Sequence, residues 1–188
     1  MLGFRGFIAI DVEANDKIER LIEDLKRVDA RLRFVDPDKL HVTLKFLGET
    51  DEDLVEDIER CIEGSVRDLG PFTIKLHGVG VFPNDRRINV IWIGVRGDNL
   101  KRIFLHLDGC LEKLGFEREV RGFSPHLTVA RVKGIGNRDS LLSIIRRYSD
   151  YDFGEQIVDR LKLKKSVLTR DGPIYSDVRE VRMGGIDG

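Results

Sequence analysis

The chain is expected to be an α+β protein made of two copies of one plan, and three observations lead there. Short apolar or alternating runs that read as strands are interleaved with runs of three- and four-residue apolar spacing that read as helices. The order strand, helix, strand, helix, strand occurs twice along the 188 residues. At the same place in each copy stands a His-x-Thr tripeptide, His41/Thr43 and His126/Thr128, the two histidines lying 85 residues apart.

The first copy spans residues 4–81. Gly3 to Val12, with Phe7, Ile8, Ala9 and Ile10, reads as a buried strand, and Asp16 is placed to cap the helix after it. From Lys17 to Val28, Ile18, Leu21, Ile22, Leu25 and Val28 recur at helical steps and mark one buried face. Phe34 to Asp38, containing Pro37, reads as a loop. Over Lys39 to Leu47, Leu40, Val42, Leu44 and Phe46 alternate with His41, Thr43 and Lys45, which is a strand pattern. Asp51 then opens a helix with Leu54, Val55, Ile58, Ile62 and Val66 on one stripe, and Phe72 to Val81 returns to strand.

The second copy, 88–168, repeats the order. Ile88 to Val95 is a strand, Leu100 to Leu114 a helix, Pro125 to Val132 the second motif strand, Ser140 to Tyr148 a helix and Ile157 to Leu168 a strand. A turn at Asp171-Gly172-Pro173 leads to a final strand over 174–181. Residues 1–188 are expected to form one domain whose halves are related by an approximate two-fold axis. The sheets then face a central groove, with the helices outside.

Composition narrows the classes. The chain is 41% apolar and 35% charged with no block of like charge, as an ordinary globular protein is. Its 32 Lys and Arg nearly balance 33 Asp and Glu, so no global field draws it to nucleic acid or membrane, and any RNA contact must come from a local patch. The apolar run Phe4 to Val12 is short and interrupted by Arg5 and Asp11, which fits neither a signal peptide nor a membrane span, and a cytoplasmic location is expected. Cys61 and Cys110 lie in helix-like segments without CxxC spacing and are expected to be small core residues, not a disulfide or a zinc site. The density of Glu, Lys and Arg suits surface ion-pair networks.

In a strand, residues two apart share a face, so His41 projects with Thr43 and His126 with Thr128, while Val42 and Leu127 point into the core. An ordinary histidine titrates near pH ~6.5, so one imidazole can be neutral while the other is protonated. Such a pair suits in-line displacement at phosphorus, one ring taking a proton from the attacking oxygen and the other giving one to the leaving oxygen. The threonine hydroxyls can donate to the non-bridging oxygens. A single histidine in a strand is most often structural; two at equivalent points of a duplicated plan are read as one shared site. His77 and His106 do not recur in this way and are expected to be structural. Two histidines without a nearby carboxylate or cysteine fall short of a zinc site, so no metal is expected.

At HVTLKFLG (41–48) and SPHLTVARV (124–132) the chain resembles the 2H phosphoesterase superfamily, in particular its RNA 2',3'-cyclic phosphodiesterase branch, historically called 2'-5' RNA ligase. RGFIAIDV near the start, GVGVFPN (78–84) and LTRDGPIYSDV (168–178) extend the resemblance over nearly the whole chain. It implies a bilobal, pseudo-symmetric fold with a water-filled cleft, and hydrolysis of RNA 2',3'-cyclic phosphate ends to 2'-phosphomonoesters. His41 would be the proton donor and His126 the acceptor, with Thr43 and Thr128 holding the phosphate and no cofactor. Reversible joining of RNA ends through a 2'-5' linkage is a second implied reaction. Arg131 and Tyr175 are candidate substrate binders: Arg131 points away from the motif face if the strand is regular, but a bulge or twist would bring its guanidinium to the cleft rim, where it could bind phosphate. Arg5 and Tyr175 match family positions lining or neighbouring the cleft, and Phe7 and Phe46 could stack with a base. The expected partners are RNA ends or nucleotides bearing the cyclic phosphate, with no membrane and no obligate protein partner. Two other readings compete: an RNA- or nucleotide-binding module whose histidines only grip phosphate, and an esterase of the same superfamily acting on a small cyclic nucleotide or an oligoadenylate.

Overall fold

A computed structural model describes residues 3–170 and 172–184. Its elements are β1 (Gly3–Asp11), α1 (Asp16–Lys26), β2 (Ala30–Phe34), β3 (His41–Asp51), α2 (Val55–Val66), β4 (Phe72–Asn84), β5 (Arg87–Arg96), α3 (Leu100–Glu112), β6 (His126–Ile135), α4 (Arg138–Arg147), β7 (Asp152–Val158), β8 (Arg160–Thr169) and β9 (Gly172–Arg182). The strands pair antiparallel in the order β7-β4-β5-β6-β3-β1-β8-β9, with β2 joined to β6.

That order is symmetric about its centre. β6 mirrors β3, β5 mirrors β1 and β4 mirrors β8, each pair standing close to 85 residues apart as the motifs do. The copies also exchange parts. β4 ends the first copy but pairs with β5, and β8 ends the second copy but pairs with β1. The helices follow suit, α1 touching α4 and β7 while α2 and α3 pack together. Neither half of the sequence therefore folds as a separate lobe.

The helices bury the apolar stripes seen in the sequence: Ile18, Leu21, Ile22 and Leu25 on α1, and Ile103, Leu107 and Leu111 on α3, join Ile8, Val42, Leu127 and Val129 of the sheet. At about 25 cal/mol per Å² of apolar surface removed from water, this shared core is the main force holding helices to strands.

Several boundaries differ from the expectation. The cap of α1 is Asn15, whose side chain accepts from the amides of Lys17 and Ile18, rather than Asp16. Ala30 to Phe34 forms β2 because β6 offers it a free edge, which no local pattern announces. The strand expected over 157–168 is divided at Asp159, β7 serving the β4 edge and β8 the β1 edge. Of the expected turn at 171–173, Asp171 lies outside the described residues.

The cysteine expectation is overturned. α2 and α3 pack side by side and bring the Cα atoms of Cys61 and Cys110 to 5.8 Å, and the sulfurs are joined in a disulfide. The partners are 49 residues apart, on helices from different copies, so their proximity is a product of the exchange.

Beneath the sheet Lys45 is buried against Asp108 at 2.6 Å, and it also donates to the Glu117 carbonyl. Burial pushes the Asp108 carboxyl up, but hydrogen bonds from Lys45, the Glu119 amide and Arg118 outweigh it and hold it below the usual range. Removing one member of such a pair strands a buried charge. Asp108→Ala should lower unfolding stability by about 3–5 kcal/mol, read by denaturant unfolding at neutral pH.

Candidate active site

The site is built where β3 meets β6. These strands share one registered pair, Val42 with Leu127, both fully buried. One antiparallel step to either side sets His41 beside Thr128 and Thr43 beside His126. All four side chains lie on the face opposite the helices and are partly exposed.

Each ring is held the same way. His41 Nδ1 lies 2.9 Å from the Lys39 carbonyl oxygen, and His126 Nδ1 lies 2.8 Å from that of Ser124. A carbonyl oxygen can only accept, so each Nδ1 carries a proton and Nε2 is left for a substrate: a lone pair when the ring is neutral, an acid proton when it is charged. Aromatic rings brace the imidazoles. Phe7 stands 5.1 Å and Tyr175 5.0 Å from His41, and Phe82 stands 5.0 Å and Trp92 6.3 Å from His126, between ring centroids. Trp92 packs against Gly80, where any Cβ would displace the indole.

Just beyond each threonine the strand carries a β-bulge. On β6, Thr128 pairs with Trp92 and Ala130 with Ile91, leaving Val129 unpaired; Val129 and Ala130 are both buried, and Arg131 returns to the motif face. On β3, Thr43 pairs with Ala9 and Lys45 with Ile8, so Leu44 and Lys45 turn inward and Phe46 returns. Regular alternation would point Arg131 away; the bulge reverses that. Phe46 is 70% exposed, Phe7 sits 6.4 Å from it, and Arg5 lies two residues before Phe7 on the same edge of the site.

Four groups that the sequence pattern does not assign to the site flank His41. Lys162 and Lys164 each bridge Asp11 and Asp177 at 2.6 to 2.8 Å, forming a closed ring of two cations and two anions, and Asp11 is the register partner of His41. For both carboxyls burial acts upward, but the two ammonium groups prevail and hold them below the usual range. Lys162 and Lys164 stand two apart on β8, the alternation that puts both on one face; their partners come from distant strands, which the sequence does not disclose.

Burial depresses the His41 pKa most, and the Lys164 and Arg131 charges add to it against the Lys39 carbonyl and Asp11, so the ring sits below the ordinary histidine value. His77 lies outside this group, 3.3 Å from Asp150, and His106 on α3 packs by Gly64 of α2. Among the described residues no three His, Cys, Asp or Glu side chains are arranged to hold a metal ion, and no helix is long and apolar enough to cross a membrane.

The description LigT-like phosphoesterase fits the chain twice in tandem, over residues 8–92 and 93–175. An RNA 2',3'-cyclic phosphodiesterase of Methanocaldococcus jannaschii is 43% identical over 178 residues, covering 94% of this chain and 99% of its own. The protein of the same name from Methanothermobacter thermautotrophicus is 40% identical over 182 residues, covering 95% and 98%. A crystal structure from Thermus thermophilus superposes with a TM-score of 0.80 at 27% identity, over 97% of this chain and 99% of that one.

In the free protein His41 should titrate below pH ~6.5 by NMR of its ring protons, and Lys164→Met should move the titration upward by removing a nearby positive charge.

Proposed function

We infer that this chain, which belongs to the LigT-like phosphoesterase family, hydrolyses the 2',3'-cyclic phosphate at RNA ends to leave a 2'-phosphomonoester. The observation that carries the mechanism is the matched pair of imidazoles on one face, each with Nδ1 tied to a backbone carbonyl and Nε2 without a hydrogen-bond partner among the described residues.

In this reading water attacks phosphorus opposite the 3' oxygen. His126 Nε2 takes the water proton as the P–O bond forms. The bond from phosphorus to O3' breaks, and His41 Nε2 gives its proton to that oxygen. The product carries a 3'-hydroxyl and a 2'-phosphate. Thr43 and Thr128 donate to the non-bridging oxygens, where charge is concentrated in the transition state. Arg131 supplies a fixed positive charge beside the phosphate, and Tyr175 braces His41 and lines the edge where the nucleoside lies.

A depressed His41 is neutral in the free protein near neutral pH, yet the reaction needs it charged. The substrate resolves this, because a phosphodiester anion beside the ring offsets the repulsion from Lys164 and Arg131 and draws a proton onto Nε2. The same geometry serves 2'-5' joining, in which a ribose 5'-hydroxyl replaces water. Its reversal begins with neutral His41 accepting the proton of the 3'-hydroxyl. RNA ends bearing the cyclic phosphate are thus the partners proposed, with no cofactor and a cytoplasmic setting.

On an RNA oligomer ending in a 2',3'-cyclic phosphate, with EDTA present, wild type should form the 2'-phosphate. His41→Ala and His126→Ala should each lower kcat by roughly 10² to 10⁴. Because the rings act in one step, the double variant should lose far less than the product of the two. Full activity in both single variants would sink the two-histidine mechanism. Tight binding without turnover by wild type would instead favour a binding module.

A further inference from the structure

The open face carries a second row of charge. Arg33 on β2 is the direct cross-strand partner of Arg131, so the two guanidinium groups stand on one face. Arg31, two residues earlier on β2, shares that face. Like charges set directly opposite one another on a sheet repel, and folds commonly place a carboxylate among them. Ion pairs are frequent elsewhere on this molecule, yet among the described residues Arg31, Arg33 and Arg131 make none. Backbone carbonyls hold the β2 pair instead: Arg33 donates to the Arg170 carbonyl and Arg31 to that of Lys133, each at 3.3 Å. Arg33 also lies against Gly172, where a side chain would crowd it. Among the described residues the other N–H groups of Arg31 and Arg33 have no hydrogen-bond partner.

The row has a direction. Arg131 is near enough to His41 to bear on its protonation, Arg33 is one strand farther out, and Arg31 is a two-residue step beyond. The mirror position on β3 holds Phe46 in place of Arg131, and among the described residues no strand flanks it as β2 flanks β6. The charges therefore lead away from the site on one side only.

We propose that Arg131, Arg33 and Arg31 form a phosphate track for the backbone of single-stranded RNA immediately 5' of its cyclic end. This rests on the reading of the site as acting on RNA 2',3'-cyclic phosphates. Such an end terminates its strand, so every other phosphate of the substrate lies on the 5' side, in a line leading out of the site. A chain with nearly balanced charge has no global attraction for RNA, and a local line of arginines that make no ion pair among the described residues supplies it. The planar fork of each guanidinium fits phosphate oxygens two at a time.

The test compares kcat/KM on an RNA oligomer ending in a 2',3'-cyclic phosphate with that on a nucleoside 2',3'-cyclic phosphate, over a series of salt concentrations. The proteins are wild type, Arg33→Gln, Arg31→Gln/Arg33→Gln, Arg33→Lys and a distant control, Arg102→Gln on α3. The oligomer-to-mononucleotide ratio should fall about tenfold in Arg33→Gln and further in the double variant, but not in the control. The salt slope for the oligomer should drop by about 0.7 for each arginine–phosphate pairing removed, and Arg33→Lys should keep the slope while weakening binding. A ratio and slope in Arg33→Gln equal to wild type would overturn the track. Fluorescence anisotropy with a 3'-phosphorylated single-stranded RNA gives a readout without turnover. If wild type hydrolyses neither substrate, the activity reading fails by itself; weaker RNA binding by Arg33→Gln still supports the track, and unchanged binding overturns it.

Discussion

The contact between Val42 and Leu127 is the point from which the arrangement of the site derives. Two buried side chains meet at the centre of the sheet, and strand alternation then requires their neighbours, His41, Thr43, His126 and Thr128, to emerge together on the other face. Because the strands run antiparallel, the contact sets each histidine beside the opposite copy's threonine. One buried pair thus converts two tripeptides 85 residues apart into a single constellation. The bulges act next: by inserting Leu44 and Val129 they turn Lys45 and Ala130 inward and bring Phe46 and Arg131 back beside the histidines.

Duplication supplies the frame, and the departures from it supply the chemistry. His41 stands by the ring of Asp11, Lys162, Lys164 and Asp177, whereas His126 stands by Phe82 and Trp92. The proposed reaction needs an acid and a base at once, so two rings in identical surroundings would be poorly divided between those roles. Phe46 and Arg131 break the symmetry again, one side offering a ring to stack on and the other a cation. β2 completes the difference, because it flanks β6 and, among the described residues, nothing equivalent flanks β3.

Much of this was legible in the sequence, and the parts that were not have identifiable causes. The period of two around His41 and His126 shows which face each residue takes, and the 85-residue offset shows that both belong to one plan. Arg131 defeats that reasoning because a bulge changes the parity of everything after it, and Val129-Ala130 carries no mark of one. β2 carries no strand pattern because Ala-Arg-Leu-Arg-Phe is short and charged, and it becomes a strand through the edge that β6 presents. Cys61 and Cys110 looked unrelated because spacing along the chain says nothing about two helices brought side by side from different copies.

That exchange also bears on how the site keeps its geometry. If each copy had folded alone, the two histidines would sit on bodies free to tilt against one another, and a proton donor displaced by an ångström serves badly. Here β4 is hydrogen-bonded into the second copy and β8 into the first, while the Cys61–Cys110 bridge and the Lys45–Asp108 pair join the copies again beneath the sheet. Opening the groove would break ladder hydrogen bonds on both sides of β3 and β6. The separation of the histidines is therefore set by the whole sheet, which gives partly exposed side chains on an open face the preorganisation that the proposed mechanism requires.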